Sequence, residues 1–262
     1  MATYTMYQVD AFTNKLFGGN PAAVIPLQQW LDDSLMQQIA AENNLAETVF
    51  FVAKGDGYHI RWFTPEFEID LCGHATLASA FILYNYLGYS KKDLLFYSKS
   101  GELVITRDGD KFRLNFPSRM PVRVTDYPEA LLTGLDIADP LGVYKSRDYV
   151  VEVATEKEVL NLKIDMSLLN QVSTVGIIVT APGKDCDFVS RFFAPNCGIA
   201  EDPVTGSAHS TLIPFWAEKL NKNTLHAKQL SKRGGELWCE NMGNRVAISG
   251  NCVFYMKAEI NV

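Results

Sequence analysis

The sequence predicts two similar α+β domains, each a set of strands wrapped about one buried helix, and three observations support this. The first is an internal repeat. Arg61-Trp62-Phe63-Thr64-Pro65 leads through Asp70 to Cys72-Gly73-His74-Ala75, and Arg191-Phe192-Phe193-Ala194-Pro195 leads through Asp202 to Thr205-Gly206-Ser207-Ala208. The arginines are 130 residues apart and the glycines 133, so the second copy carries three extra residues. The second observation is that each copy runs into a helix too apolar to lie on a surface. The third is the set of short alternating segments around both, which read as strands. If the two halves face each other, two helix N-termini aim at a common cleft, where their unpaired N–H groups and dipoles would hold a small anion from two sides.

In chain order, Met6 to Phe12 alternates as a strand, and Phe17-Gly18-Gly19-Asn20-Pro21 turns into a second, Ala22 to Pro26. Asp32 or Asp33 caps an amphipathic helix bearing Leu35, Met36, Ile39 and Ala40, ending near Asn43-Asn44. Strands Glu47 to Ala53 and Tyr58 to Phe63 flank the turn Lys54 to Gly57. The first buried helix runs from His74 to about Leu87 and Gly88 stops it. Three strands fill Leu94 to Phe116, with a hairpin turn at Arg107-Asp108-Gly109-Asp110.

Pro117-Ser118-Arg119-Met120-Pro121 is the best linker, giving domains of 1–116 and 117–262, with the last strand able to cross back to the first half. In the second half, Tyr149 to Ala154 is a strand. Thr155 opens a short helix to Leu162, and Ser167 to Val172 is a further helical turn. Strands Thr174 to Ala181 and Phe188 to Phe193 precede the second buried helix, Ser207 to about Leu220, which Pro214 should bend. Four strands close the chain.

Composition narrows the function. With 47% apolar and 21% charged residues and a net charge of −6, the chain has the balance of a soluble globular protein and no reason to bind nucleic acid or an acidic membrane. No apolar run approaches the roughly 20 residues that span a bilayer, and no signal peptide is apparent, so the cytoplasm is the expected location. Five scattered cysteines with no CxxC pair read as reduced thiols. The four histidines show no zinc-ligand spacing, so no metal is expected.

Several side chains could carry chemistry. Glu47 opens an apolar strand, where desolvation would raise its pKa toward that of a general base; an exposed strand-end glutamate is the plainer alternative. His74 lies at the start of the first buried helix, whose positive end should keep it neutral. It could equally be a satisfied N-terminal histidine. Asp202 could anchor the second helix or orient a substrate amine or hydroxyl. Ser207 matches His74 in the repeat and could bind a carboxylate or simply cap the helix. Cys72 stands where a helix N-terminus would stabilise a thiolate, yet its repeat partner is Thr205, so a symmetric two-cysteine proton transfer is unsupported. Gly18-Gly19-Asn20 fits no dinucleotide or P-loop pattern and reads as a turn.

Val9-Asp10-Ala11-Phe12-Thr13 with Gly19-Asn20-Pro21-Ala22-Ala23-Val24, then Asn44-Leu45-Ala46-Glu47-Thr48, Leu71-Cys72-Gly73-His74-Ala75-Thr76 and Glu201-Asp202-Pro203-Val204-Thr205-Gly206-Ser207-Ala208 resemble the phenazine biosynthesis PhzF family, in the expected order and over most of the chain. The resemblance implies a diaminopimelate epimerase-like fold of two pseudo-symmetric domains, each a curled mixed sheet around a central helix. It also implies a cofactor-free isomerase, commonly a homodimer, acting on a small carboxylate-bearing substrate held between the domains. The family's proton-shuttling glutamate falls on Glu47, its histidine on His74, its aspartate on Asp202 and its serine on Ser207. The backbone amides of Gly73 and Gly206 would help hold the carboxylate, and Asn20 of the first motif is the remaining substrate-binding candidate. The rivals are a one-cysteine racemase or epimerase using Cys72 and a non-catalytic small-anion binding protein.

Overall fold

The computed structural model describes all residues, Met1–Val262. The chain divides into two units, one of Met1–Asn115 with Ser249–Val262 and the other of Phe116–Ile248.

The first unit opens with β1 (Thr3–Ala11), β2 (Asn20–Leu27), α1 (Asp33–Asn43), β3 (Glu47–Lys54), β4 (Gly57–Phe63) and the short β5 (Glu68–Ile69). Then come α2 (Gly73–Tyr86), β6 (Asp93–Ser98), β7 (Gly101–Asp108) and β8 (Lys111–Pro117). β1 pairs antiparallel with β2, β2 parallel with β3, β3 antiparallel with β4, and β4 parallel with β6. Each parallel step needs a crossover, and α1 and α2 supply them. α1 stops at Asn44, which takes the left-handed conformation (φ 47°) and donates its N–H to Ala40 O. Beneath it pack Ile25, Met36, Ile39, Phe50 and Phe63.

α2 is buried on nearly every face, and its buried hydroxyls are satisfied by carbonyls of its own first turns. Thr76 Oγ1 donates to Cys72 O at 2.5 Å and Ser79 Oγ to Ala75 O at 2.8 Å. Such self-contained bonds let a helix with hydroxyls lie in an apolar core.

The second unit repeats this order. It holds β9 (Val122–Arg123), α3 (Glu129–Leu135), β10 (Gly142–Lys145), β11 (Tyr149–Glu152), α4 (Glu156–Leu160), α5 (Met166–Leu169), β12 (Ile177–Pro182) and β13 (Phe188–Ala194). A 3-10 turn at Pro195–Cys197, β14 (Ile199–Asp202), α6 (Gly206–Leu220), β15 (Thr224–Gln229), β16 (Gly235–Asn241) and β17 (Arg245–Gly250) follow. β10 to β11 is antiparallel, β11 to β12 parallel, β12 to β13 antiparallel and β13 to β15 parallel, the sequence of pairings seen in the first unit. Leu131, Val151, Val159, Leu169, Val179 and Phe193 form its core. The last strand, β18 (Cys252–Asn261), pairs with β1 from Thr3↔Asn261 to Ala11↔Cys252. That pairing is why the second unit ends at Ile248 and not at the C-terminus.

The repeat extends to its side chains. Arg61 clamps Glu68 through Nε and Nη2, both at 2.8 Å, and Arg191 clamps Glu201 at 2.7 and 2.9 Å. The two guanidinium carbons lie over Phe63 and Phe193 at 5.2 and 5.1 Å. With Glu68 opposite Glu201, the three extra residues fall between arginine and glutamate, where only the second unit has the 3-10 turn. This register sets Asp202 opposite Ile69; Asp70 is opposite Pro203, so the first unit has no acid matching Asp202.

Two features depart from expectation. α3 and β10 were not anticipated: α3 spans seven residues, has Pro128 at its N-cap position with no side-chain cap, and packs Gly134 so tightly that a Cβ there would lie 2.6 Å from Leu169 Cδ2. α6 continues through Pro214. Proline leaves the Ser210 carbonyl without its helical donor, and the N–H of Arg119 supplies one at 2.9 Å. No helix is long and apolar enough to cross a membrane.

Candidate functional site

Glu47 is the first residue of β3, which lies between β2 and β4 and is buried on both faces. Its carboxylate is therefore inside the first unit, 6% exposed, where an exposed strand end was the alternative. His74, at the second position of α2 and 4% exposed, brings Nε2 to 2.8 Å from Glu47 Oε2. The two atoms are close but poorly aligned, so neither completes a full hydrogen bond within the protein. The other ring nitrogen, Nδ1, is 3.1 Å from Asn20 Nδ2 and 3.5 Å from Cys72 Sγ. With the ring neutral, Nδ1 accepts from the Asn20 amide and Nε2 carries the proton toward Glu47. With the ring charged, Asn20 turns its carbonyl to Nδ1.

Asn20 reaches this position because Gly19 precedes it. Gly19 has φ +61°, and a Cβ there would lie 2.1 Å from the Ala11 carbonyl oxygen. What reads as a plain turn is thus the step that lets β2 begin at Asn20 and point its buried amide at His74.

Two electrostatic expectations are corrected. Burial alone disfavours the His74 imidazolium, but its contacts with Cys72 and Glu47 outweigh it and hold the ring well above the ordinary imidazole value. The helix dipole was expected to keep it neutral; a carboxylate at 2.8 Å is the stronger field. For Cys72, burial and then the Glu47 charge push the thiol up to about 11, against the expected stabilisation by the helix start. At neutral pH Cys72 is therefore a thiol, and Glu47 is the acid group that His74 meets.

Glu47, Cys72 and His74 place their ligand atoms within 4.8 Å of one another, a cluster that histidine spacing in the sequence does not reveal. The acid addresses Nε2 and the thiol Nδ1, opposite nitrogens of one ring. The arrangement suits proton movement between acid and imidazole, with the Asn20 amide orienting the ring.

In the second unit, Thr205 caps α6, which makes Gly206 its first residue and Ser207 its second. Ser207 is therefore not the cap, and neither is Asp202, which ends β14 and accepts from Thr205 Oγ1 at 2.5 Å. Gly73 and Gly206 are the first residues of α2 and α6, where amide N–H groups have no helical acceptor. Glu201 points away to Arg191. The structure thus assembles Glu47, His74 and Asn20 in one unit, and Asp202, Gly206 and Ser207 in the other.

Residues beyond the expected set hold the second group. Gln229, fully buried, accepts from the Thr205 N–H at 2.9 Å and donates to Asp202 O at 2.8 Å. Its signal in sequence is its phase: with Leu225 and Ala227 it shares the inward face of β15. Arg147 donates through Nη2 to Ser207 Oγ at 3.1 Å, and its guanidinium is locked by the fully buried Asp148. Adjacent opposite charges carry no such signal. His209 is buried with Nδ1 2.8 Å from Thr205 O, and burial depresses its pKa to about 4, so it is neutral and structural.

The comparisons with known proteins follow this geometry. The phenazine biosynthesis-like (PhzC-PhzF) family model matches residues 9–258. A Pseudomonas aeruginosa protein named an uncharacterized isomerase is 47% identical over 258 residues, covering 98% of this chain and 99% of that one. The crystal structure of a PhzF-family protein from Enterococcus faecalis superposes with a TM-score of 0.96 at 46% identity over the whole of both chains. A hydroxyproline epimerase from Agrobacterium vitis shares the mixed α/β fold alone, with a TM-score of 0.67 at 8% identity, over 98% of this chain and 92% of that one. These relatives place the chain among isomerases with an epimerase-related fold. It belongs to the phenazine biosynthesis-like PhzF family.

Proposed function

We propose that this protein isomerises a small carboxylate-bearing substrate by moving a proton between carbon atoms, with Glu47 as base and then acid. The observation behind this reading is the buried Glu47–His74 pair, 2.8 Å apart, with hydrogen-bonding capacity left on both facing atoms. Glu47 takes the proton from a carbon activated by a neighbouring conjugated or carboxyl group. His74, held at Nδ1 by Asn20, turns Nε2 toward the carboxylate and orients it. Asp202 positions a substrate amine or hydroxyl. The substrate carboxylate meets Ser207 Oγ and the first-turn amides at Gly73 and Gly206, which stabilise charge as the proton leaves. The working form is a homodimer, which light scattering tests.

Incubation of candidate substrates in D₂O is the deciding experiment. Catalysis washes deuterium into carbon, whereas a protein that only binds anions does not. Absence of exchange with every carboxylate that the protein binds would overturn the reading. The racemase alternative needs a Cys72 thiolate, and burial works against it; it also lacks a second thiol, since Thr205 stands opposite.

A further inference from the structure

Within the second unit lies an open pocket of about 580 Å³. Its lining includes Lys145, Arg147, Asn170, Gln171 and Asn196, and no aspartate or glutamate. Lys145 has no acidic partner: its ammonium donates to Tyr149 Oη at 3.2 Å and sits 4.4 Å from that ring's centre. Arg147 is held rigid, because Nε and Nη2 both bond to the buried Asp148 carboxylate, and Nη2 also reaches Ser207 Oγ. Its Nη1 takes no protein acceptor, so the guanidinium links Ser207 on one side to the cavity on the other.

A third cation adds to the surplus. Arg119 is fixed beside α6 by its N–H bond to the carbonyl that Pro214 leaves open. Burial, and then the charge of Arg147, push Arg119 below the ordinary guanidinium value, with Asp148 opposing the shift. Asp148 neutralises one of the three. Lys145 and Arg147 are the two cations that line the pocket, which is of a size that holds a small ligand.

The geometry points to a second anion subsite here, so that the substrate is a dicarboxylate: one acid group on Ser207, the other in the cavity on Lys145 and Arg147. The inference rests on the reading of Ser207 as a carboxylate ligand, and it names the class of molecule that this reading left open. A chain of a few carbons between the acids suits a pocket that shares Arg147 with Ser207.

Calorimetric titration of the full-length protein with butyrate, succinate and glutarate tests it. A charge-assisted contact makes the better of the two dicarboxylates bind roughly tenfold or more tighter than butyrate. Lys145→Gln and Arg147→Lys should each bring that ratio toward one, with thermal melts confirming the fold. Should Arg147→Lys unfold because Asp148 loses its clamp, Lys145→Gln alone decides. A ratio near one in the unmodified protein, or a ratio that survives in Lys145→Gln, overturns the inference. So does inorganic phosphate binding at the Lys145 pocket of protein already saturated with succinate, since that pocket would then serve a separate anion. Ser207→Ala separates the two readings: weaker butyrate binding supports Ser207 as carboxylate ligand. Unchanged butyrate binding with an intact Lys145-dependent preference removes Ser207 and leaves the pocket standing. The Glu47→Gln variant should keep the preference, so failure of the proposed base does not touch this result.

Discussion

Glu47 Oε2 and His74 Nε2 stand 2.8 Å apart inside the first unit, joined there by the start of a strand and the start of a helix. Neither element could place such a pair alone. β3 brings the acid because its parallel pairing with β2 sets Glu47 opposite Ala22, and α2 brings the imidazole at its second position. Asn20, two residues before Ala22 on β2, then meets the far side of the ring.

Glu47→Gln should lower turnover by roughly 10²–10⁴-fold, the usual contribution of a placed general base, while substrate binding changes little. The same change removes the charge opposite Nε2, so the His74 pKa should fall. Carbon-bound proton signals of the ring, followed by NMR against pH, report that fall. Turnover equal to that of the unmodified enzyme excludes Glu47 as the base.

How much of this was legible beforehand depended on the kind of residue. The two buried helices were, because a helix apolar all round has one place to go, and their shared approach motif set the duplication. Glu47 and His74 were marked by motif, but the sign of the His74 shift was not, since it depends on a partner 27 positions away in sequence. Gln229 was hidden for a similar reason: its role is to bond a turn 24 residues earlier. Arg119 was read as linker, and only the orphaned carbonyl created by Pro214 explains where its backbone goes.

Gln229→Leu tests the turn that carries Asp202 and Thr205. Losing the amide strands the Thr205 N–H and the Asp202 carbonyl in a buried site, at a cost of about 1–3 kcal/mol in stability. The start of α6 should loosen with it. Urea unfolding reads the first effect, and weaker butyrate binding reads the second.

Cys72 should resist alkylation. With its thiol pushed up to about 11, roughly one molecule in a thousand carries the thiolate at pH 8, and the side chain is only 6% exposed. Peptide mapping after brief iodoacetamide treatment should find Cys72 unmodified. Cys72→Ser should keep turnover within about tenfold; a loss as deep as that of Glu47→Gln would favour the thiol route.

Acid should destabilise the second unit through His209. Its folded pKa, depressed by burial to about 4, lies below the unfolded value near 6.5. Between those values the unfolded chain binds the extra proton, so this group's contribution is complete above pH 6.5 and lost as pH falls toward 4. Full loss amounts to about 3 kcal/mol as an upper bound. His74 has the opposite sign: raised in the fold, it stabilises below its unfolded pKa, and that gain is lost as pH rises through the folded value. Urea unfolding of His209→Gln between pH 4 and 7 separates the two, because the variant keeps the His74 slope and loses the acid-side decline. An acid-side slope as steep in His209→Gln as in the parent would mean that another buried group, and not this histidine, takes up the proton.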